Sequence, residues 1–252
     1  VSPDGKVVWV TNNGEPAQTA DASEHKEMAQ GSHDAMGKPG AVWAIDTATN
    51  AVVAKVPVGM HPAHVVVSPD GRFAYITNGG DNTVSVIDTA ARSLVATIPV
   101  GKFPHGLRIS PDGKQAYVAN LKGGTVSVID TASQKEIAQV PAGKGPAQVG
   151  FTPDGSLVLV SLSEENAVAV IDPATPKTPG KTVSLIELES FKVAKTVVTG
   201  AGAHGVVVDR EGRYAYVTNM YANSVSVLDV KDRKVVKTVP VGKTPNGISV
   251  TP

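Results

Sequence analysis

Cysteine is absent from this chain of 252 residues. That excludes disulfides, thiolate zinc sites, type-1 copper centres with a cysteine ligand, and covalently attached c-type haem. Neither sign of charge is in excess, since Lys+Arg and Asp+Glu stand at 23 each. No basic field exists to draw nucleic acid or anionic lipid, so neither is expected as a partner. No apolar run approaches the length that spans a bilayer. The chain opens on Val1 with neither an initiator Met nor a signal peptide, and reads as a mature or trimmed product. Also missing are a Gly-x-Ser-x-Gly elbow, a phosphate loop, a cysteine nucleophile and a His-Glu-x-x-His pair. Hydrolase and nucleotide chemistry therefore lack the usual motifs.

What the chain has is repetition. Pro3-Asp4-Gly5, Pro69-Asp70-Gly71, Pro111-Asp112-Gly113 and Pro153-Asp154-Gly155 recur, with a degenerate copy at Arg210-Glu211-Gly212. Pro69, Pro111 and Pro153 stand 42 residues apart. A period near forty filled with short strand-like runs marks a radial or stacked β repeat, because one such unit cannot bury its apolar faces alone. Within residues 103–143 the strand-like runs are His105–Ser110 (A), Gln115–Asn120 (B), Thr125–Asp130 (C) and Glu136–Val140 (D). Proline presets the turn after strand A and glycine takes its positive φ. Strand C carries the β-branched run and strand D alternates polar with apolar, as an outer strand with one wet face should. Four antiparallel strands per repeat without helical connections make an all-β fold, a β-propeller blade.

The whole of residues 1–252 is expected to form a single propeller domain. Two insertions interrupt the period: residues 13–39 between strands B and C of the first unit, and 173–190 between strands C and D of the fourth. Strand alternation puts the first on the face of the D–A and B–C loops and the second on the opposite face. Residues 1–58 supply strands B, C and D of one blade, and Asn246-Gly247-Ile248-Ser249-Val250 supplies a strand A with nothing after it. The expectation is a five-bladed ring closed by the two ends sharing a blade. The alternative is that the five repeats are a fragment of a larger ring.

Tyr75-Ile76-Thr77-Asn78, Tyr117-Val118-Ala119-Asn120 and Tyr216-Val217-Thr218-Asn219 are each followed by a loop and a run such as Thr83-Val84-Ser85-Val86-Ile87-Asp88. These segments resemble the YVTN-type β-propeller repeat family, and the blades resemble those of cytochrome d1-type and lactonase-type propellers. The resemblance implies a ring commonly of seven blades, in exported proteins, and hence a periplasmic or extracellular setting. It assigns no single chemistry. The tyrosines are expected to fill space between blades, and Asn78, Asn120 and Asn219 to tie down the following loop through side-chain to backbone bonds. Asp46, Asp88, Asp130, Asp172 and Asp229 end strand C in Asx-type turns.

Residues the repeat does not require point to function. Alignment places Ala63, His105, Ala147, His204 and Asn246 at one position at the entry to strand A, and His64, Gly106, Gln148, Gly205 and Gly247 at the next. His64, His105 and His204 thus converge on the mouth of the channel, where they suit either a zinc or copper site or a set of satisfied polar groups near the axis. The first insertion adds His25 with Met28 and His33 with Met36, an imidazole and thioether set that favours copper. The same segment also reads as a polar loop or as a lid over the channel. Arg108 interrupts the apolar strand A of its unit, where it serves either an anionic substrate or a neighbouring acid; Gln148 and Asn246 complete the ligand-binding candidates. The combined expectation is an exported binding or interaction module with a candidate copper or zinc site, taking a protein partner or small ligand at the channel mouth. A lactonase-like hydrolase, an oxidoreductase-associated propeller and a purely structural surface scaffold are the alternatives.

Overall fold

The computed structural model describes residues 1–13, 39–171 and 193–249. All regular structure in them is β, in five antiparallel sheets. Sheet I comprises β1 (Val7–Asn12), β2 (Pro39–Asp46) and β3 (Val52–Met60). Sheet II comprises β4 (Pro62–Val67), β5 (Phe73–Asn78), β6 (Thr83–Asp88) and β7 (Ser93–Pro99). Sheet III comprises β8 (Pro104–Ile109), β9 (Gln115–Asn120), β10 (Thr125–Asp130) and β11 (Lys135–Pro141). Sheet IV comprises β12 (Pro146–Phe151), β13 (Val158–Leu162), β14 (Ala167–Ile171) and β15 (Val193–Val198). Sheet V comprises β16 (Ala203–Val208), β17 (Tyr214–Asn219), β18 (Ser224–Asp229) and β19 (Lys234–Pro240). Strand order within each sheet follows the chain, as in a propeller blade. No helix among the described residues is long and apolar enough to cross a membrane.

The local chemistry explains each element. At the turn after β8, Asp112 accepts from Ser110 Oγ and from the Lys114 amide, while Gly113 takes φ 75°. Asp46, Asp88, Asp130 and Asp229 accept from backbone amides two or three residues on, the expected Asx turns. Asp172 lies outside the described residues. Asn78, Asn120 and Asn219 correct one expectation: each side-chain amide donates to two hydroxyls of the next strand, Thr83 and Ser85, Thr125 and Ser127, Ser224 and Ser226. The asparagine therefore pins strand B to strand C, with backbone bonding confined to Gly200 N–H on Asn219 Oδ1.

Sheets pack in chain order through one apolar cluster per joint. Trp9, Val42 and Val56 meet Ile76 and Ile87 between sheets I and II. Tyr75 and Val86 meet Leu107 and Ile129 between II and III. Tyr117 and Val128 meet Val149 and Val160 between III and IV, and Leu159 and Val170 meet Val206 and Leu228 between IV and V. Tyr75 and Tyr117 are almost wholly buried, filling space between blades as expected.

The shared closing blade does not form among the described residues. Sheet I has three strands, with β1 paired to β2 alone, and residues 246–249 belong to no strand. At sheet V, Thr218 Oγ1 and His204 Nδ1 both meet the Asn246 carbonyl and Ile248 lies against Gly205. The C-terminal segment is held beside sheet V, in the place each preceding blade gives to the inner strand of its successor. Five sheets in chain order thus make a partial propeller. The two insertions fall almost entirely on residues outside those described.

Candidate functional site

Each of β4, β8, β12 and β16 carries a β-bulge at its entry. Pro62 pairs with Asn78 but Val65 with Ile76, so Ala63 and His64 together oppose Thr77. The same shift recurs at residues 105 and 106, 147 and 148, and 204 and 205. A bulge bends the strand and re-aims the side chains on it, and these are the positions that vary between repeats.

A hydroxyl on the partner strand holds the bulge and ties it to the next blade. Thr77 Oγ1 accepts from His64 N–H and donates to the His105 carbonyl. Ser161 does the same between Gln148 N–H and His204 O, and Thr218 between Gly205 N–H and Asn246 O. Thr11 donates to Ala63 O at the first joint. Sequence reasoning missed this relay, although its signal was present in the recurring Thr or Ser at the third position of the tetrapeptide. Ala119 breaks the series, and there His105 Nδ1 meets the Ala147 carbonyl at 3.1 Å. Gly106 is required by the same close approach: a Cβ on it would lie 2.3 Å from that carbonyl oxygen.

The bulges line a cavity of about 510 Å³ bounded by His64, His105, Arg108, Gln148, His204 and Asn246. All six were candidates from the sequence, and the structure brings them together. Missed were Gly205, Val206, Gly247 and Ile248, which complete the wall. The His64 and His105 rings meet edge-on with centroids 4.9 Å apart, and His105 and His204 at 5.8 Å. Gln148 Nε2 lies 2.8 Å from His64 Nε2, so the amide donates and the His64 proton sits on Nδ1. His105 and His204 each direct Nδ1 at a backbone carbonyl, which places their lone pairs on Nε2.

Arg108 is the one permanently charged side chain lining the cavity among the described residues. Burial, then repulsion from His105, Arg108 and His204, pushes the pKa of His64 from 6.5 down to about 3. Burial also lowers that of His204, against an opposing hydrogen bond to Asn246. Arg108 is reached by solvent yet walled by protein, and loss of solvation lowers its pKa as well. Its Nη1 donates to Leu107 O at 2.9 Å. No carboxylate lines the cavity, and no ion pair to Arg108 occurs among the described residues.

The imidazoles do not assemble as the expected copper or zinc cage. Among the described residues no three of His, Cys, Asp and Glu are arranged to hold a metal ion. The rings hold one another edge-on, and each engages one nitrogen with Gln148 or a backbone carbonyl. His25, Met28, His33 and Met36 lie outside the described residues.

Comparison with known proteins agrees with this architecture. A family model described as the cytochrome D1 heme domain matches residues 36–148, and one described as the 7-bladed β-propeller lactonase matches residues 104–252. A search of curated proteins returned no match. Among solved structures, Kuenenia stuttgartiensis hydrazine synthase is 21% identical over 82% of each chain, with a TM-score of 0.54. A functionally unknown protein from Desulfotomaculum acetoxidans DSM 771 is 16% identical over 84% of this chain and 66% of its own, with a TM-score of 0.72. At such identities the likeness is one of fold. The lactonase model runs over more than half of the sequence and takes in three of the four bulged inner strands that wall the cavity, and on that ground the chain belongs to the lactonase family of 7-bladed β-propellers.

Proposed function

We propose that the cavity on the inner bulges binds a small organic carboxylate, and that the protein acts as a binding module through this site. The observation that carries the reading is Arg108: a solvent-reached guanidinium that, among the described residues, has no acid partner and stands in a wall that holds no carboxylate. A guanidinium offers a carboxylate two parallel donors. The neutral imidazoles and Gln148 around it offer both donors and acceptors to hydroxyls on the same ligand, at no cost in opposing charge. Titration calorimetry with gluconate, glycolate and malonate tests this. At least a ten-fold loss of affinity is expected in Arg108→Gln with folding intact; absent binding, or binding indifferent to Arg108, overturns it.

A second reading is favoured by the family match over residues 104–252, namely that the same cavity opens a lactone. Water would add through oxygen to the ring carbonyl, giving its proton to an imidazole Nε2. The ring C–O bond would then break and the alkoxide take up the proton. The product is a hydroxycarboxylate, the ligand class Arg108 suits. Turnover of δ-gluconolactone that disappears in Arg108→Ala or His105→Ala with folding intact would establish this reading over simple binding.

A further inference from the structure

On the other face of the joint between sheets II and III, a cavity of about 520 Å³ is lined by Asp70, Arg72, Phe73, Tyr75, Asp112 and Gln134, among others. Its floor is Tyr75, whose side chain is fully buried and whose hydroxyl has no hydrogen-bond partner. That is anomalous within this molecule. In the next joint the equivalent Tyr117 donates to Gln115 Oε1 at 2.9 Å and has Phe151 packed edge-on at 5.3 Å. At the first joint those two positions are Phe73 and Ile109, neither of which can bond a phenol. A buried hydroxyl left unmatched destabilises the fold, and a ligand that matches it recovers that free energy.

The walls specify the ligand's chemistry. Asp70 and Asp112 are held ionised by hydrogen bonds, chiefly from Ser68 and Ser110. Each uses Oδ1 in its turn; the second oxygen of Asp112 lies 3.7 Å from Lys114 Nζ, and that of Asp70 remains as an acceptor. Arg72, stacked on Phe73 with 5.2 Å to the ring centroid, and Gln134 supply donors. An anion would meet two carboxylates, and a cation would meet Arg72. A neutral group that both donates and accepts meets neither objection. Pro69, Phe73 and Ala132 add apolar faces.

We propose that this cavity is a second ligand site, taking a neutral polyhydroxylated ring such as a mono- or disaccharide, with Tyr75 bonding a ligand hydroxyl. It is independent of the carboxylate site, which lies on the inner bulges and shares no lining residue with it.

Saturation-transfer NMR with glucose, galactose, N-acetylglucosamine and maltose at millimolar concentration tests it, with gluconate and glucosamine as charged counterparts. Binding of at least one neutral sugar is expected. It should fall ten-fold or more in Ala132→Trp, which fills the cavity from an exposed turn, and several-fold in Tyr75→Phe, while Arg108→Gln leaves it unchanged. Tyr75→Phe retains the ring, so its folded state is kept for comparison. No neutral sugar binding, binding indifferent to Ala132→Trp, or binding confined to glucosamine or gluconate would overturn the proposal.

Discussion

The joint between sheets II and III and the joint between sheets III and IV are copies of one pattern, yet they are held differently. At the first, Thr77 links the bulge of its own blade to the backbone of the next, and the His105 ring packs edge-on against His64. At the second, Ala119 has no hydroxyl to offer, and His105 reaches across to the Ala147 carbonyl. A residue placed at a site position has thus become a strut. Site and scaffold are separable at one joint and fused at the other. The histidine contact does not depend on the missing hydroxyl, because at sheet V His204 meets the Asn246 carbonyl beside a Thr218 that also donates to it, whereas His105 holds its joint without that second bond.

The largest break in that comparison comes from Gly106→Ala. The added methyl would press on the Ala147 carbonyl that His105 holds, and a clash with backbone cannot relax by a rotamer change. Destabilisation of about 3 kcal/mol is expected in urea unfolding, whereas a side chain is already accommodated at the matching His64. Thr77→Ala should cost about 2 kcal/mol, since it removes two hydrogen bonds at once. Its mirror, Ala119→Thr, sharpens the contrast: a hydroxyl there competes for Ala147 O, and the NMR resonance of the His105 Nδ1 proton should move or broaden.

Acid provides a third test. Folded His64 takes up its proton near pH 3 and the unfolded chain near 6.5, so its contribution to stability is complete above pH 6.5 and is lost as pH falls through that window. The slope is at most about 1.4 kcal/mol per pH unit for one such group. His64→Gln should flatten the profile of stability against pH, and an unchanged profile would mean the imidazole is not desolvated. The smallest effects concern the two tyrosines and have opposite signs. Tyr117→Phe should lose about 1 kcal/mol with its bond to Gln115. Tyr75→Phe, losing a hydroxyl that bonds nothing, should be neutral or slightly stabilising without ligand.

Much of this was legible in the sequence because the repeat wrote it several times. The Pro-Asp-Gly turns, the strand limits Gln115–Asn120 and Thr125–Asp130, and the Asx turns emerge where they were read, since each depends on residues within a few positions of one another. The meeting of His64, His105 and His204 was legible from alignment, as was Arg108 beside them. Ring orientation was not: periodicity gives position, whereas neighbours such as Gln148 and the Ala147 carbonyl decide where nitrogens point. Among the described residues, the pairing of 246–249 with 6–12 does not form. Strand patterns identify what a segment can pair with, not whether its partner is brought within reach; residues 246–248 are seated against sheet V as each inner strand is seated against the blade before it.

Among the described residues the apolar interior is not one mass but four separate clusters, each spanning a single joint. Energetically such a molecule behaves as a row of coupled units, each stabilised by the neighbours it touches and indifferent to those beyond. Sheet III, flanked on both sides among the described residues, should surrender its amide protons to deuterium last, and sheets I and V first. Opening would then travel inward from the flanks, and Arg108, carried on the central sheet, would be among the last groups to lose its place.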